Sequence, residues 1–239
     1  MLQGGLTRHE CQSDGKLLYK RAVDWLLPSP TNEWPKSFET QGASLDWLVS
    51  EYARDRFTGV LRSSDNSNKR RAALVLFRGR VVGCIRNSKS KPTVPGVQEA
   101  LKQSLADMRV AGVSIESYTL PEPSVLALSC FYFGVPLKVP ESTEKGQAFI
   151  QLIEQIQKEK LTASIVQKVQ GCSVLTAFHE GAYICSFVPS EKQTLTDIEM
   201  VKKTVLEVGS EALQAMTLPP DVVANKYESF GLKIVDNMP

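Results

Sequence analysis

The residues of this chain that could do chemistry are two histidines, five cysteines and a scatter of carboxylates. His9 lies in a polar stretch and His179 beside a turn, with no second histidine and no cysteine at ligand spacing, so no metal site is expected. Cys11, Cys84, Cys130, Cys172 and Cys185 are odd in number and contain no Cys-x-x-Cys pair, which argues against a disulfide framework. Apart from Cys11 and Cys172 they sit in apolar runs, where a reduced cysteine behaves as a small hydrophobe. Gly-x-Ser-x-Gly, Gly-x-x-x-x-Gly-Lys-Ser/Thr and Gly-x-Gly-x-x-Gly are all absent. Glu99 and Asp107 fall on expected solvent faces, with nothing to make them an acid–base pair. A non-catalytic chain without a cofactor is the expectation.

Charge gives a sharper signal. Between residues 41 and 120 thirteen Lys and Arg face seven Asp and Glu, whereas between 141 and 239 nine face thirteen, so the first half is basic and the second acidic. Arg62, Lys69, Arg70, Arg71, Arg78 and Arg80 gather around one expected hairpin, where the second half has Gly171, Cys172 and Ser173 in place of Lys69, Arg70 and Arg71. These six residues are the candidate contact for an acidic partner. The competing reading is a strand edge protected by charge. Arg62-Ser63-Ser64-Asp65-Asn66-Ser67 resembles the Asp/Asn-x-Ser element of PilZ-type cyclic-dinucleotide receptors, but the required glycine and the preceding Arg-x-x-x-Arg are missing, so it reads as a polar hairpin loop.

The elements that must position these residues come in two sets. Leu45, Leu48, Val49 and Tyr52 form a helical stripe, and Phe149, Leu152, Ile153 and Ile156 repeat its spacing. Each helix passes through a charged turn into a first strand, Phe57 to Leu61 or Leu161 to Ile165. Second strands come next at Ala72 to Phe77 and Val174 to Phe178, then the dipeptides Arg78-Gly79 and Glu180-Gly181, which suit tight hairpins, and third strands at Arg80 to Arg86 and Ala182 to Val188. Second helices carry Val97, Leu101, Leu105 and Met108, answered by Ile198, Val201, Val205 and Val208. Thr119-Leu120-Pro121 and Thr217-Leu218-Pro219 then lead into third short helices, with Ser124 and Asp221 as expected N-caps and Gly134 and Gly231 as expected ends. The shared positions are apolar or turn residues, so the repeat specifies a core rather than a chemistry.

The fold expected is therefore α+β: a tandem duplication of a module with an antiparallel β-meander flanked by amphipathic helices. Residues 1–38 form an N-terminal extension in which Leu18, Ala22, Trp25 and Leu26 suit a short helix, residues 39–135 the first copy, and 147–239 the second, with Pro136 to Gly146 as an exposed connector. The N-terminal stretch lacks the apolar core of a secretory signal, and the longest apolar uncharged run, Ser124 to Leu137, is well short of the roughly 20 residues that span a bilayer. A cytoplasmic protein without membrane insertion is expected.

The arrangement Leu45 to Tyr52, Phe57-Thr58-Gly59-Val60-Leu61 and Leu74 to Val82, repeated at Phe178 to Ile184, resembles the PATAN-type domain. That resemblance implies a bacterial cytoplasmic signalling module that binds other proteins, commonly beside a receiver domain for which this chain has no room. Roadblock and longin-type modules, which regulate GTPases, also join an amphipathic helix to a meander and stay as an alternative. Two further rivals are a nucleic-acid binder using the basic first copy and an enzyme with an unrecognised site. Against nucleic acid, the basic hairpin has little beyond Phe57 and Phe77 on which a base could stack, and both fall on core positions.

Overall fold

The structure, a computed structural model, describes residues 36–39, 43–65, 70–87, 97–142, 144, 146–188 and 193–237. The elements run β1 (Lys36–Glu39), α1 (Ala43–Arg54), β2 (Gly59–Asp65), β3 (Arg70–Phe77), β4 (Arg80–Asn87), α2 (Val97–Met108), β5 (Ser114–Thr119), α3 (Glu122–Phe133) and β6 (Val135–Pro136). They continue with α4 (Gln147–Lys158), β7 (Ala163–Val169), β8 (Cys172–His179), β9 (Ala182–Val188), β10 (Gln193–Leu195), α5 (Ile198–Val208), β11 (Glu211–Thr217), α6 (Pro220–Ala224), β12 (Leu232–Lys233) and a closing 3-10 turn at Val235–Asn237. The fold is α+β, with antiparallel sheets. Sheet one has the order β1-β5-β2-β3-β4-β12 and sheet two β6-β11-β7-β8-β9-β10.

The helical stripes act as their spacing demands. Leu45, Leu48 and Val49 of α1 pack with Leu101, Leu105 and Met108 of α2 on the outer face of sheet one. Phe149, Leu152, Ile153 and Ile156 of α4 pack with Val201 and Val205 of α5 on the outer face of sheet two. Asp197 caps α5 by accepting the backbone N–H of Glu199 at 2.9 Å, satisfying one of the free donors of the first turn.

Between the sheets lies α3. The run that is apolar on every side makes a helix buried on every side: Val125 to Phe131 are all buried, against β3 and β4 of one sheet and β7, β8 and β11 of the other. One cluster thus draws Val60, Val75, Phe77 and Ile85 together with Val166, Leu175 and Phe187. Ser164 Oγ of β7 donates to the Ala127 carbonyl at 2.8 Å, a polar tie inside this layer. The layers run helices, sheet, helix, sheet, helices, and the two halves share the middle one.

Several details recur in corresponding places. The Arg78-Gly79 and Glu180-Gly181 turns have φ of 48° and 76°, and 50° and 79°, the two left-handed residues of a type I′ hairpin. Thr58 Oγ1 accepts the Arg78 N–H at 3.0 Å and Thr162 Oγ1 accepts the Glu180 N–H at 3.2 Å. Each third strand bulges by one residue at the same point, Val82 opposite the Val75–Leu76 step and Ile184 opposite the Ala177–Phe178 step.

The structure corrects the sequence reading in four places. A fourth strand, β5 or β11, runs into each Thr-Leu-Pro and ends on its threonine. The first strands start later and run further, to Asp65 and Val169, because Arg56 and Lys160 take left-handed φ and turn the chain before Gly59 and Ala163; Arg62 to Asp65 are therefore strand, not loop. The third helices are capped by Pro121 and Pro219 without a side-chain bond, so Ser124 and Asp221 are not caps, and Gly134 ends α3 in extended backbone, φ −80°, rather than left-handed. Finally, the expected connector begins as β6, which pairs with β11. The helix expected at Leu18 to Leu26, His9 and Cys11 lie outside the described residues.

Candidate functional site

The six basic residues do not form one patch. β2 and β3 pair with Arg62 opposite Ala73 and Ser64 opposite Arg71. Side chains alternate along a strand, and Val60, Ala73 and Val75 face the middle layer, so Arg62 and Arg71 share that face toward its β2–β3 end. Arg62 is half-buried, with Glu116 across from it on β5, and Arg71 is exposed. Arg70 stands opposite Asp65 in the ladder, and Lys69 lies outside the described residues. At corresponding positions β7 and β8 carry Val166, buried in the middle layer, and Ser173.

Arg78 and Arg80 sit at the far end of β3, about 20 Å away at roughly 3.3 Å per strand residue. Both are engaged within the chain. Arg78 makes a two-pronged pair with Glu122, Nε to Oε1 and Nη2 to Oε2 at 2.8 Å each, and lies 4.8 Å from the centre of the Phe77 ring. The bond from Arg78 holds the Glu122 carboxyl below its ordinary range, with Arg56 and His179 adding smaller pulls in the same direction, and the same bond raises Arg78. Arg80 donates from Nε to the Phe230 carbonyl at 3.0 Å and from Nη2 to the Gly231 carbonyl at 2.6 Å, clasping the chain that enters β12.

Around Arg78 the two halves meet in a polar seam. His179 Nδ1 is 3.1 Å from Thr162 Oγ1, the hydroxyl that also holds the β8–β9 turn. Its Nε2 is 4.0 Å from Glu180, and its ring is 6.2 Å from that of Tyr227. Sequence reasoning missed Glu122, Thr162 and Tyr227 here; the recurring Phe-Thr and Leu-Thr at 57–58 and 161–162 were the signal for Thr162, and nothing local marks the others.

Burial pushes the Cys84 thiol up to about 12 and raises Cys130 and Cys185, which disfavours the thiolate at those three positions. Among the described residues no three His, Cys, Asp or Glu side chains are grouped to hold a metal ion, and no helix is long and apolar enough to cross a membrane. An open groove of about 520 Å³ between α4 and α5 is lined by Ile150 and Leu206 with Lys202, Lys203, Glu199 and Glu207. No protein-family model, curated protein or solved structure matches the chain.

Proposed function

We propose that this chain is a non-catalytic regulatory protein, built from two diverged copies of one module, that acts by binding an acidic protein partner at the β2–β3 end of sheet one. One observation carries the reading. Two hairpins of corresponding place and register, β2–β3 and β7–β8, differ in charge: Arg62 and Arg71 stand in the first where Val166 and Ser173 stand in the second. Burial against α3 accounts for Val166, whereas packing does not call for an arginine at position 71 where the second half has serine. Arg78 and Arg80 leave the proposed contact because they lie at the other end of β3, about 20 Å from Arg62 and Arg71. The resemblance to PATAN-type domains adds signalling as the setting for such a contact.

Opposite charge across an interface raises the association rate and is screened by salt. The experiment is to identify the partner by crosslinking in the source cell, then replace Lys69, Arg70 and Arg71 together by alanine and compare association rates at low and high salt. The expected result is slower association of the triple variant at low salt and convergence with the parent at high salt. Equal rates at low salt would leave the hairpin as a protected strand edge.

A further inference from the structure

The chain that leaves α6 is the most conformationally stressed segment among the described residues. Lys226, Tyr227, Ser229 and Gly231 have φ of 50°, 62°, 55° and 88°, so three non-glycine residues take the left-handed region within four positions. Elsewhere such residues stand singly, at helix exits, tight turns or a strand irregularity. The clustered reversal is held by hydrogen bonds from Lys226 N to Val223 O, Tyr227 N to Val222 O and Phe230 N to Tyr227 O.

Beyond the reversal, the chain fills a well-defined slot on the first half. Phe230 packs in the middle layer against Phe77 and Phe133. Arg80 clasps the Phe230 and Gly231 carbonyls, Leu232 and Lys233 pair with Val81 and Arg80 at the edge of sheet one, and Ile234 is buried among the side chains of α1 and α2. The strap from Phe230 to Asn237 thus crosses from the inner face of sheet one to its outer face. Every recognition element it uses belongs to the first half, and the short reversal that delivers it belongs to the second.

We propose that this strap is exchangeable: Phe230–Asn237 of one copy occupies the slot of a second copy, giving a strand-swapped dimer. In the exchanged form Arg80, Val81 and the Ile234 socket make the same contacts, while the connector at 225–229 opens and its left-handed residues relax. Short strained hinges favour exchange because the strap's own contacts are conserved, so the strain released at 226–229 is set only against the local bonds of the reversal and the ring contacts of Tyr227.

Leu232 and Val81 are cross-strand neighbours, a spacing that a disulfide can bridge. The test uses two full-length variants, Val81→Cys in one and Leu232→Cys in the other, unfolded, mixed and refolded with oxidised glutathione. Exchange is expected to give a covalent heterodimer on a non-reducing gel, lost on reduction and absent when either variant is refolded alone. The double variant, refolded dilute, is expected to link within one chain, which checks that the slot tolerates both cysteines; if it forms no internal link, the slot is wrong and the proposal falls. Lys226→Pro, which cannot hold a φ of 50°, is expected to raise the heterodimer yield when introduced into both chains. Lys226→Gly with Ser229→Gly is expected to lower it by about tenfold per replaced residue, since glycine takes positive φ without the penalty of a side chain. An internally linked double variant together with no heterodimer from the mixed single variants would overturn the proposal.

Discussion

Both halves set a three-stranded meander between two outer helices and follow it with a fourth strand and a third helix, but they employ their third helices differently. α3 has twelve residues and is buried from Val125 to Phe131, whereas α6 has five, none of them buried. α3 packs on its own sheet and on the second half's inner face at once, and α6 gives way to a strap that returns to the first half. A matched pair of sheets therefore closes around an unmatched filling. Sheet pairing fixes only the frame of such a module, and the helix after the fourth strand determines how the frame is joined to its neighbour.

Changes in α3 test that comparison hardest. Leu126→Asp places an unpaired charge between the sheets and is expected to cost more than about 4 kcal/mol, with both halves melting together in a denaturant titration. Val223→Asp at the end of α6, only partly buried, is expected to cost about 1 kcal/mol. Equal effects would mean that the two helices carry the same load. On the outer layer Ile153→Asp, at a side chain with no exposure, is expected to cost several kcal/mol.

Gly134 gives the next largest effect. A Cβ there would lie 2.2 Å from the Cys130 carbonyl oxygen and 2.7 Å from that of Thr217, both backbone atoms that cannot step aside. Gly134→Ala is expected to cost about 2–3 kcal/mol in thermal unfolding by pushing the exit of α3 off β11. Arg80→Ala removes two charge-assisted bonds to the strap, and about 2 kcal/mol is expected from the shift in urea midpoint.

The smallest effect belongs to the Arg78–Glu122 pair, which is well exposed and worth at most about 1 kcal/mol. Its sign with pH is fixed. The folded carboxyl of Glu122 titrates below its unfolded value, so the contribution is complete above the ordinary glutamate range near pH 4.3 and is lost as pH falls through the lowered folded value. The stability difference between the parent and Glu122→Gln, measured against pH, should shrink toward acid; a constant difference would assign it to packing.

Much of the frame was legible because periodicity reports burial. The stripes of α1 and α4 and the hairpins at Arg78-Gly79 and Glu180-Gly181 follow from residue spacing and from turns that require positive φ. β5 and β11 were not legible: Ser114-Ile115-Glu116-Ser117 and Glu211-Ala212-Leu213-Gln214 are short and mostly polar or small, and they become strands by pairing with β2 and β7 far away in sequence. The division of the basic residues between the two ends of β3 was not legible for a related reason. Arg62, Arg71, Arg78 and Arg80 look like neighbours along a hairpin, but an eight-residue strand separates its two turns, and charge counting carries no information about which turn a residue occupies. Glu122, the partner of Arg78, comes from 44 positions away.

The burial of α3 also sets an order of events during synthesis. When the ribosome has made the first half, the apolar run of this helix has only β3 and β4 to lie against, because β7, β8 and β11 do not yet exist. At translation rates of about 5–20 residues per second, the hundred or so residues that complete its surroundings take on the order of ten seconds to appear. Throughout that interval the nascent chain displays a greasy helix face, so its passage to the folded state is expected to draw on chaperones that hold exposed apolar helices.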